Sequence, residues 1–165
     1  MHVVGDHEAV FGDDRFPCAV GRAGRGAKVA EGDGVTPIGR HAITAVLYRP
    51  DRLAPPITAA PLIALKPDDG WCDSPADPRY DQHVRRPFNA SHERLWRADG
   101  LYDVIGVLDW RPATPVATEA GSAIFLHCAA PDFRATAGCI ALTCSDLVAT
   151  LRRMSTEDYV VVNAS

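Results

Sequence analysis

The chain consists of short apolar runs separated by turn-forming residues, and this pattern limits the folds that are open to it. Thirteen glycines and thirteen prolines lie among its 165 residues, a high frequency of residues that interrupt regular structure. Short runs of β-branched and apolar residues have the length of strands rather than helices. They predict strands over His41–Tyr48, Tyr102–Asp109, Ser122–His127 and Tyr159–Asn163. The chain is therefore predicted to be mainly β, as a curved sheet or a β-sandwich.

One segment has a helical pattern and predicts one main helix after residue 143. Thr143 and Asp146 have the T-x-x-D spacing of a capping box, which satisfies the first amides of a helix. Apolar residues then recur at helical spacing, and two arginines fall in the expected last turn. These residues are Leu147, Val148, Leu151, Met154, Arg152 and Arg153.

The length and charge of the chain limit its expected partners. A length of 165 residues fits one domain, so we interpret residues 1–165 as a single domain and expect a monomer. A net charge of −4 with no basic run argues against nucleic acid or a membrane surface as partner. No stretch has the length of a membrane span, and residues 1–8 show no export signal. A peptide or a small molecule is the expected partner.

Two glycine-rich or irregular segments are predicted to be loops. Residues 21–28 lack both common phosphate-binding spacings, so we predict a flexible loop there, a turn at residues 36–39, and no cofactor. Residues 66–100 show little periodicity. A segment of this length in a small domain is typical of a lid or binding loop, so we predict an irregular excursion over the site. A short helix is expected within it, over residues 90–97.

The cysteines and histidines do not form a recognisable metal or disulfide pattern. The five cysteines are an odd number without a Cys-x-x-Cys pair, which argues against a zinc knuckle and a disulfide scaffold. Asp73, His83 and His92 match no familiar ligand spacing, so no metal site is expected.

A strand that ends in His127 and a Gly138-Cys139 pair twelve positions later form the candidate catalytic pair. A histidine beside a cysteine can take the thiol proton, and a helix starting near residue 143 would add its positive end. Gly138 allows close approach of a substrate, and the amides of residues 138–140 are candidates for an oxyanion hole. From the spacing alone, however, a buried thiol and a core histidine are the favoured interpretation.

The same segment resembles the signature of L,D-transpeptidase (YkuD-like) catalytic domains, in which a strand-borne histidine precedes Ser/Thr-His-Gly-Cys-Ile/Val-Arg. The matching residues are His127, Thr136, Gly138, Cys139 and Ile140, and the turn Thr36-Pro37-Ile38-Gly39 resembles an upstream Thr-Pro-x-Gly turn of the family. Two positions depart from the signature. Ala137 stands where the family usually has histidine, and Ala141 stands where it usually has arginine.

The resemblance implies a curved sheet and acyl transfer on the stem peptides of peptidoglycan, with a cell-wall or periplasmic location. It implies that Cys139 is the nucleophile, that His127 is the base and that the intermediate is a thioester on Cys139. The missing arginine at position 141 implies that another arginine holds the substrate carboxylates, with Arg134 as the first candidate and Arg86 as the second.

Three further residues are expected to contact the substrate, and three functions stay open beside the transpeptidase. The residues are Thr136, Ile140 and Trp71, although ordinary packing explains Trp71 equally well. Water as acceptor would give an L,D-carboxypeptidase, and a cytoplasmic substrate would give another Cys-His peptidase or amidase. The alanines at 137 and 141 also fit a catalytically silent peptidoglycan-binding module.

Overall fold

The structure is a computed structural model, which describes residues 1–110 and 121–164. Within these residues the chain forms fifteen short strands and one helix. The strands are β1 (His2–Val3), β2 (Glu8–Phe11), β3 (Asp14–Ala19), β4 (Arg25–Gly26), β5 (Thr36–Pro37), β6 (Gly39–His41), β7 (Ile43–Tyr48), β8 (Leu62–Ala64), β9 (Asp69–Cys72), β10 (His83–Arg85), β11 (His92–Arg94), β12 (Val104–Leu108), β13 (Phe125–Cys128), β14 (Ile140–Leu142) and β15 (Val160–Val162), and the helix is α1 (Cys144–Arg153).

Ten of the strands form one strongly curled sheet with the shape of a half barrel. Their order is β6-β15-β1-β2-β3-β14-β13-β12-β7-β8. Most neighbours are antiparallel, but β13 and β14 are parallel, as are β1 and β15 and also β7 and β8. The prediction of a mainly β fold with a curved sheet is therefore confirmed.

The central strands β12, β13 and β14 are buried along their whole length. Because successive side chains of a strand point to opposite faces, β13 contributes to two cores. Leu126 and Cys128 belong to the larger core, which α1 also enters through Leu147. Phe125 lies on the other face, in a second core with Trp71. His127 shares the face of Phe125.

Helix α1 confirms the predicted main helix and its capping box. The backbone amide of Asp146 donates to the Thr143 hydroxyl over 3.1 Å, and that hydroxyl donates to the Asp146 carboxylate over 2.6 Å. The Gly138-Cys139 pair, however, does not lie at the start of this helix. Strand β14 separates Cys139 from Cys144, so the helix begins at the opposite end of that strand. The dipole of α1 therefore does not act on Cys139, because its effect falls off within the first turn.

Residues 66–100 contain a small antiparallel sheet in the order β10-β9-β11. The expected short helix over residues 90–97 is wrong, since this segment contains β11, which pairs His92 with Cys72 and Arg94 with Gly70. Pairing with β9, which the sequence of this irregular segment does not indicate, makes residues 92–94 a strand.

The glycine-rich segment after β3 is also more regular than predicted. Arg25 and Gly26 pair in parallel with Thr36 and Pro37. Residues 36–37 are thus a short strand rather than part of a turn. This pairing holds the loop between β4 and β5 against the end of the main sheet that carries Cys139, since the Thr36 hydroxyl bonds to the Gly138 carbonyl.

Candidate active site

Cys139 and His127 lie on the wall of one cavity of about 270 Å³. His127 pairs with Ala141 in the parallel β13–β14 ladder, and Cys139 lies two residues before Ala141. Because side chains alternate along a strand, the three residues share one face of the sheet. The cavity wall comes from the loop after β4, from the segment that contains β11, and from the strands around Cys139. It is formed by Lys28, Glu31, Gly32, Asp73, Glu93, Arg97, Leu101, Tyr102, Ser122, Ala123, Ile124, His127, Ala130, Arg134, Ala135, Thr136, Ala137, Gly138, Cys139 and Ala141.

The Cys139 thiol is held by the backbone just before β13. Its Sγ donates to the Ala123 carbonyl over 3.1 Å, and the Phe125 backbone amide hydrogen-bonds to the sulfur. Burial raises the pKa of Cys139 to about 12, although the Phe125 amide and the nearby Lys28 ammonium both act to lower it. Cys139 is therefore a neutral thiol at neutral pH, with its proton directed at a carbonyl.

The His127 ring is buried and is fixed by hydrogen bonds to the backbone of Cys128 and Leu101 and by one aromatic contact. Its Nδ1 lies 2.8 Å from the Cys128 carbonyl, and its ring meets the Tyr102 ring edge to face at 5.3 Å between centroids. Because a carbonyl only accepts, Nδ1 carries the proton of the neutral ring and Nε2 keeps its lone pair. Burial lowers the pKa of His127 to about 4 and outweighs the hydrogen bonds to the Cys128 and Leu101 backbone, which act to raise this pKa. The ring is thus a neutral base across the physiological pH range.

Two threonine hydroxyls hold the backbone at Gly138 and Cys139. Thr136 donates to the Cys139 carbonyl over 2.7 Å and accepts from the Gly138 amide over 3.1 Å. Thr36 donates to the Gly138 carbonyl over 2.9 Å and accepts from the Gly21 amide over 2.8 Å. Thr36 is fully buried. The hydroxyls of Thr36 and Thr136, one from each of the two family-like motifs, therefore both hydrogen-bond to the backbone next to the Cys139 side chain.

Gly138 occupies a position that only glycine fits. Its φ is 140°, and a Cβ there would lie 2.9 Å from the Val35 carbonyl oxygen. A side chain would therefore require both an unfavourable backbone conformation and a shift of the loop. The small residue lets the loop between β4 and β5 approach the peptide that precedes Cys139.

Lys28 brings a buried positive charge to the cavity. Its side chain is 2% exposed, and its Nζ lies 2.6 Å from Asp33 Oδ1. Burial raises the pKa of Asp33, but hydrogen bonds from Lys28 and from three backbone amides outweigh it and bring the pKa to about 2. Gly121 closes over the lysine, since a Cβ there would lie 2.0 Å from Lys28 Cε. The cavity wall therefore carries a lysine that an ion pair holds in place, next to the glycine-rich segment for which the sequence predicts a flexible loop.

The cavity wall also carries a second charged group, centred on Glu93. Arg97 Nη1 lies 3.1 Å from Glu93 Oε1, and the Tyr102 hydroxyl also bonds to this carboxylate. Burial raises the pKa of Glu93, and the charge of Arg97 opposes this shift. Arg97 also pairs with Asp99 over 2.5 Å. Glu93 and Arg97 belong to residues 66–100, so this segment contributes directly to the cavity.

Of the five residues predicted to contact the substrate, two line the cavity and three do not. Arg134 lines the cavity at its rim, where its side chain is 61% exposed and lies 3.6 Å from Asp132. Thr136 also lines the cavity, and its hydroxyl holds the backbone as described above. Ile140 is fully buried in the larger core, on the face of β14 away from the cavity.

Arg86 and Trp71 lie outside the cavity wall. Arg86 is half-buried, and its backbone amide donates to the Asp68 carbonyl. Trp71 is 9% exposed, and its ring packs edge to face on Phe125 at 5.2 Å. Its Nε1 donates to Asp81 over 2.9 Å, which satisfies the indole. The structure thus gives Trp71 a packing role in the second core.

The amides considered for an oxyanion hole are largely engaged. The Gly138 amide donates to Thr136, and Ile140 belongs to the β13–β14 ladder. The Cys139 amide is the remaining candidate of the three. Ala137 and Ala141, which replace the histidine and arginine of the family signature, both line the cavity with methyl groups.

Sequence reasoning missed several charged and polar residues of the cavity wall, among them Lys28, Glu93, Arg97 and Tyr102. These four lie 37 or more positions from Cys139, and only the fold brings them to it. One signal was available. Lys28 is one of two lysines in a chain that otherwise uses arginine, and it lies between the two segments that pair as β4 and β5. Within residues 1–110 and 121–164, no cluster of metal-ligating side chains is found, and no helix is long and apolar enough to cross a membrane.

The fold and the site together define a class of protein. The domain is a strongly curled β-sheet, and its candidate active site is a cavity whose wall carries a cysteine and a histidine. Residues 7–162 match the family model described as YkuD, the L,D-transpeptidase catalytic domain. The match spans nearly the whole chain, and the chain therefore belongs to the YkuD family of L,D-transpeptidase catalytic domains. No curated protein and no solved structure matches the chain significantly.

Proposed function

We propose that the protein is an L,D-transpeptidase that acts on peptidoglycan stem peptides through a thioester on Cys139, with His127 as the base. The observation that carries the proposal is the shared position of the two side chains, which line one cavity from β13 and from the residue directly before β14. Membership of the YkuD family supports the same chemistry. We further propose that residues 1–165 act as a single domain and as a monomer.

The first chemical step is attack by Cys139 on the carbonyl carbon of the penultimate residue of a donor stem. The thiol proton passes to Nε2 of His127, the sulfur–carbon bond forms, and the scissile carbon–nitrogen bond breaks. The imidazolium then gives its proton to the departing amine, which leaves as the terminal D-amino acid. Because thiol and imidazole are both neutral in the free protein, we propose that the bound substrate brings about this transfer by displacing the Ala123 carbonyl as partner of the thiol.

The second step resolves the thioester. His127 takes a proton from the amine of an acceptor stem, the amine attacks the thioester carbon, and a new carbon–nitrogen bond forms. The sulfur–carbon bond breaks, and His127 gives the proton to the sulfur, so that Cys139 leaves as a thiol. Attack by water at the same carbon would make the protein an L,D-carboxypeptidase. The two reactions share one acyl-enzyme, so the acceptor alone distinguishes them.

We propose that Lys28 and Arg134 supply the positive charge that meets the carboxylates of the donor stem. Lys28 is fixed inside the cavity and Arg134 lies at its rim. This pair would replace the guanidinium that Ala141 lacks. A lysine offers a point charge rather than a planar pair of donors, so we expect weaker discrimination between carboxylate geometries than an arginine would give.

Product analysis with a stem tetrapeptide tests this proposal. A mass spectrum of the reaction is expected to show a cross-linked dimer of stems together with the released D-amino acid. Cys139→Ala and His127→Gln should abolish or strongly reduce the dimer, while Cys144→Ser, a change at an exposed cysteine, should not. Cleaved peptide without dimer would support the carboxypeptidase. Binding without any product would support the catalytically silent peptidoglycan-binding module. The alanines at 137 and 141, which depart from the family signature, favour this alternative.

A further inference from the structure

Two cysteines outside the candidate active site lie side by side. Cys128 is the last residue of β13 and is 3% exposed, whereas Cys144 is the first residue of α1 and is exposed. Their side chains are in hydrogen-bonding contact, and neither is part of a disulfide. Neither cysteine lines the cavity of Cys139. The proposed acyl transfer therefore makes no use of this pair.

The fold fixes the two cysteines relative to each other. Cys128 pairs with Leu142 in the parallel β13–β14 ladder, and the Ala129 amide donates to the Leu142 carbonyl over 2.5 Å. Cys144 follows Leu142 after one residue, and that residue is Thr143, which caps the helix. A strand ladder and a helix cap thus set the backbones from which the two thiols meet.

The two thiols have complementary reactivities. Contact with Cys128 lowers the pKa of Cys144, and contact with Cys144 together with burial raises the pKa of Cys128. An exposed cysteine with more thiolate reacts first with an oxidant, and a neighbouring thiol then resolves the product. By contrast, burial raises the pKa of Cys139 and of Cys18 to about 12, which slows their oxidation.

We propose that Cys128 and Cys144 form a dithiol site that hydroperoxides oxidise to an intramolecular disulfide, while Cys139 stays a free thiol. With hydrogen peroxide, the Cys144 thiolate attacks one oxygen, the oxygen–oxygen bond breaks, and a sulfenic acid and hydroxide result. The hydroxide takes up the proton that the Cys144 thiol had lost and becomes water; an organic hydroperoxide would release its alcohol in place of this water. The Cys128 sulfur then attacks the Cys144 sulfur, the sulfur–sulfur bond forms, and a second water leaves with the Cys128 proton. Two thiols lose two electrons in total, and the peroxide takes both.

The disulfide would close a loop around the candidate nucleophile. The closed segment is 129–143, which contains Cys139 and Thr136. A crosslink removes conformations from the unfolded chain, so the oxidised protein should unfold at a higher temperature than the reduced protein. The site therefore links the redox state of the surroundings to the stability of the domain that carries Cys139.

The test uses the full chain, reduced and then treated with hydrogen peroxide at neutral pH. Intact mass should show the loss of two hydrogens, and the number of free thiols should fall from five to three. Peptide mapping after alkylation of the unfolded protein should find Cys128 linked to Cys144, with Cys18, Cys72 and Cys139 alkylated. The linked peptide should be absent from Cys144→Ser and present in the matched control Cys18→Ala.

A second measurement needs no variant. Brief treatment of the reduced, folded protein with N-ethylmaleimide should label Cys144 before any other cysteine. Labelling of Cys139 first, a link that includes Cys139, or oxygen addition at Cys144 without a link would each overturn the proposal. None of these results depends on whether Cys139 is the nucleophile of acyl transfer.

Discussion

At the scale of single residues, the Cys139 thiol and the His127 imidazole are both neutral, so these two cavity residues are not a preformed ion pair. Burial favours the neutral form of both groups, because it disfavours whichever form is charged. It raises the pKa of the Cys139 thiol to about 12 and lowers the pKa of the His127 imidazole to about 4. A thiolate–imidazolium pair would show the opposite shifts, with a lowered thiol pKa and a raised imidazole pKa.

The neutral pair predicts the pH dependence of alkylation. In a Cys144→Ser background, the rate at which iodoacetamide modifies Cys139 should rise about tenfold per pH unit through the neutral range, since only the thiolate reacts. The rise should continue toward pH 12, the pKa to which burial raises the thiol. The rates are measured by mapping the modified peptide over time. A plateau that begins in the acidic range would show an ion pair and contradict this account.

At the scale of elements, the pairing of β4 with β5 positions the segment that carries Cys139. Thr36 in β5 connects this strand pair to the segment before Cys139. Its hydroxyl accepts from the Gly21 amide and donates to the Gly138 carbonyl. Thr36→Val should cost about 1–3 kcal/mol in unfolding free energy, since it leaves a buried amide and a buried carbonyl without partners. It should also slow acylation of Cys139 by about tenfold or more, because it displaces the backbone that carries this proposed nucleophile.

The matched control for Thr36 is Thr44→Val. The Thr44 hydroxyl donates to the Val107 carbonyl over 3.2 Å, but Thr44 is exposed and does not line the cavity. The control should change acylation by less than about twofold. The acylation rates are measured by intact mass at fixed inhibitor concentration. Equal rates for the two variants would show that Thr36 does not position Cys139.

Helix α1 gives a second prediction at this scale. Thr143→Ala removes the cap of the first turn and should lower the unfolding free energy by about 1 kcal/mol, or the melting temperature by about 2–4 °C. Circular dichroism during heating measures the shift. The same substitution at the exposed Thr156, outside the helix, should leave the melting temperature nearly unchanged. A shift of equal size in both variants would argue against the cap.

The elements also show what the sequence can and cannot predict. The capping box and spacing of α1 are local, and both were read correctly from the sequence. The strands at residues 36–37 and 92–94 form because distant segments pair with them, so their local patterns indicated a turn and a helix instead. The same limit applies to the site. The matching motif residues identified the candidate pair, whereas Lys28 and Glu93 reach the cavity only through tertiary packing.

At the scale of the whole molecule, the last strand completes the curled sheet from the far end of the chain. Strand β15 lies between β6 and β1, and its Val160 is fully buried while Val161 is half-buried on the other face. Val160→Thr should lower the unfolding free energy by about 1–3 kcal/mol, because it buries a hydroxyl of the same size as a methyl group. Val161→Thr should change it by less than about 0.5 kcal/mol. Urea unfolding measures both, and equal losses would contradict this placement of β15.

The most direct test of the proposed function is the intact mass of the protein after incubation with a carbapenem, an acylating inhibitor associated with this family. We predict one covalent adduct, which peptide mapping assigns to Cys139 and which is lost in Cys139→Ala. The adduct should be retained in Cys144→Ser, which changes only the exposed cysteine. Absence of the adduct, or an adduct that persists in Cys139→Ala, would contradict the assignment of Cys139 as the nucleophile.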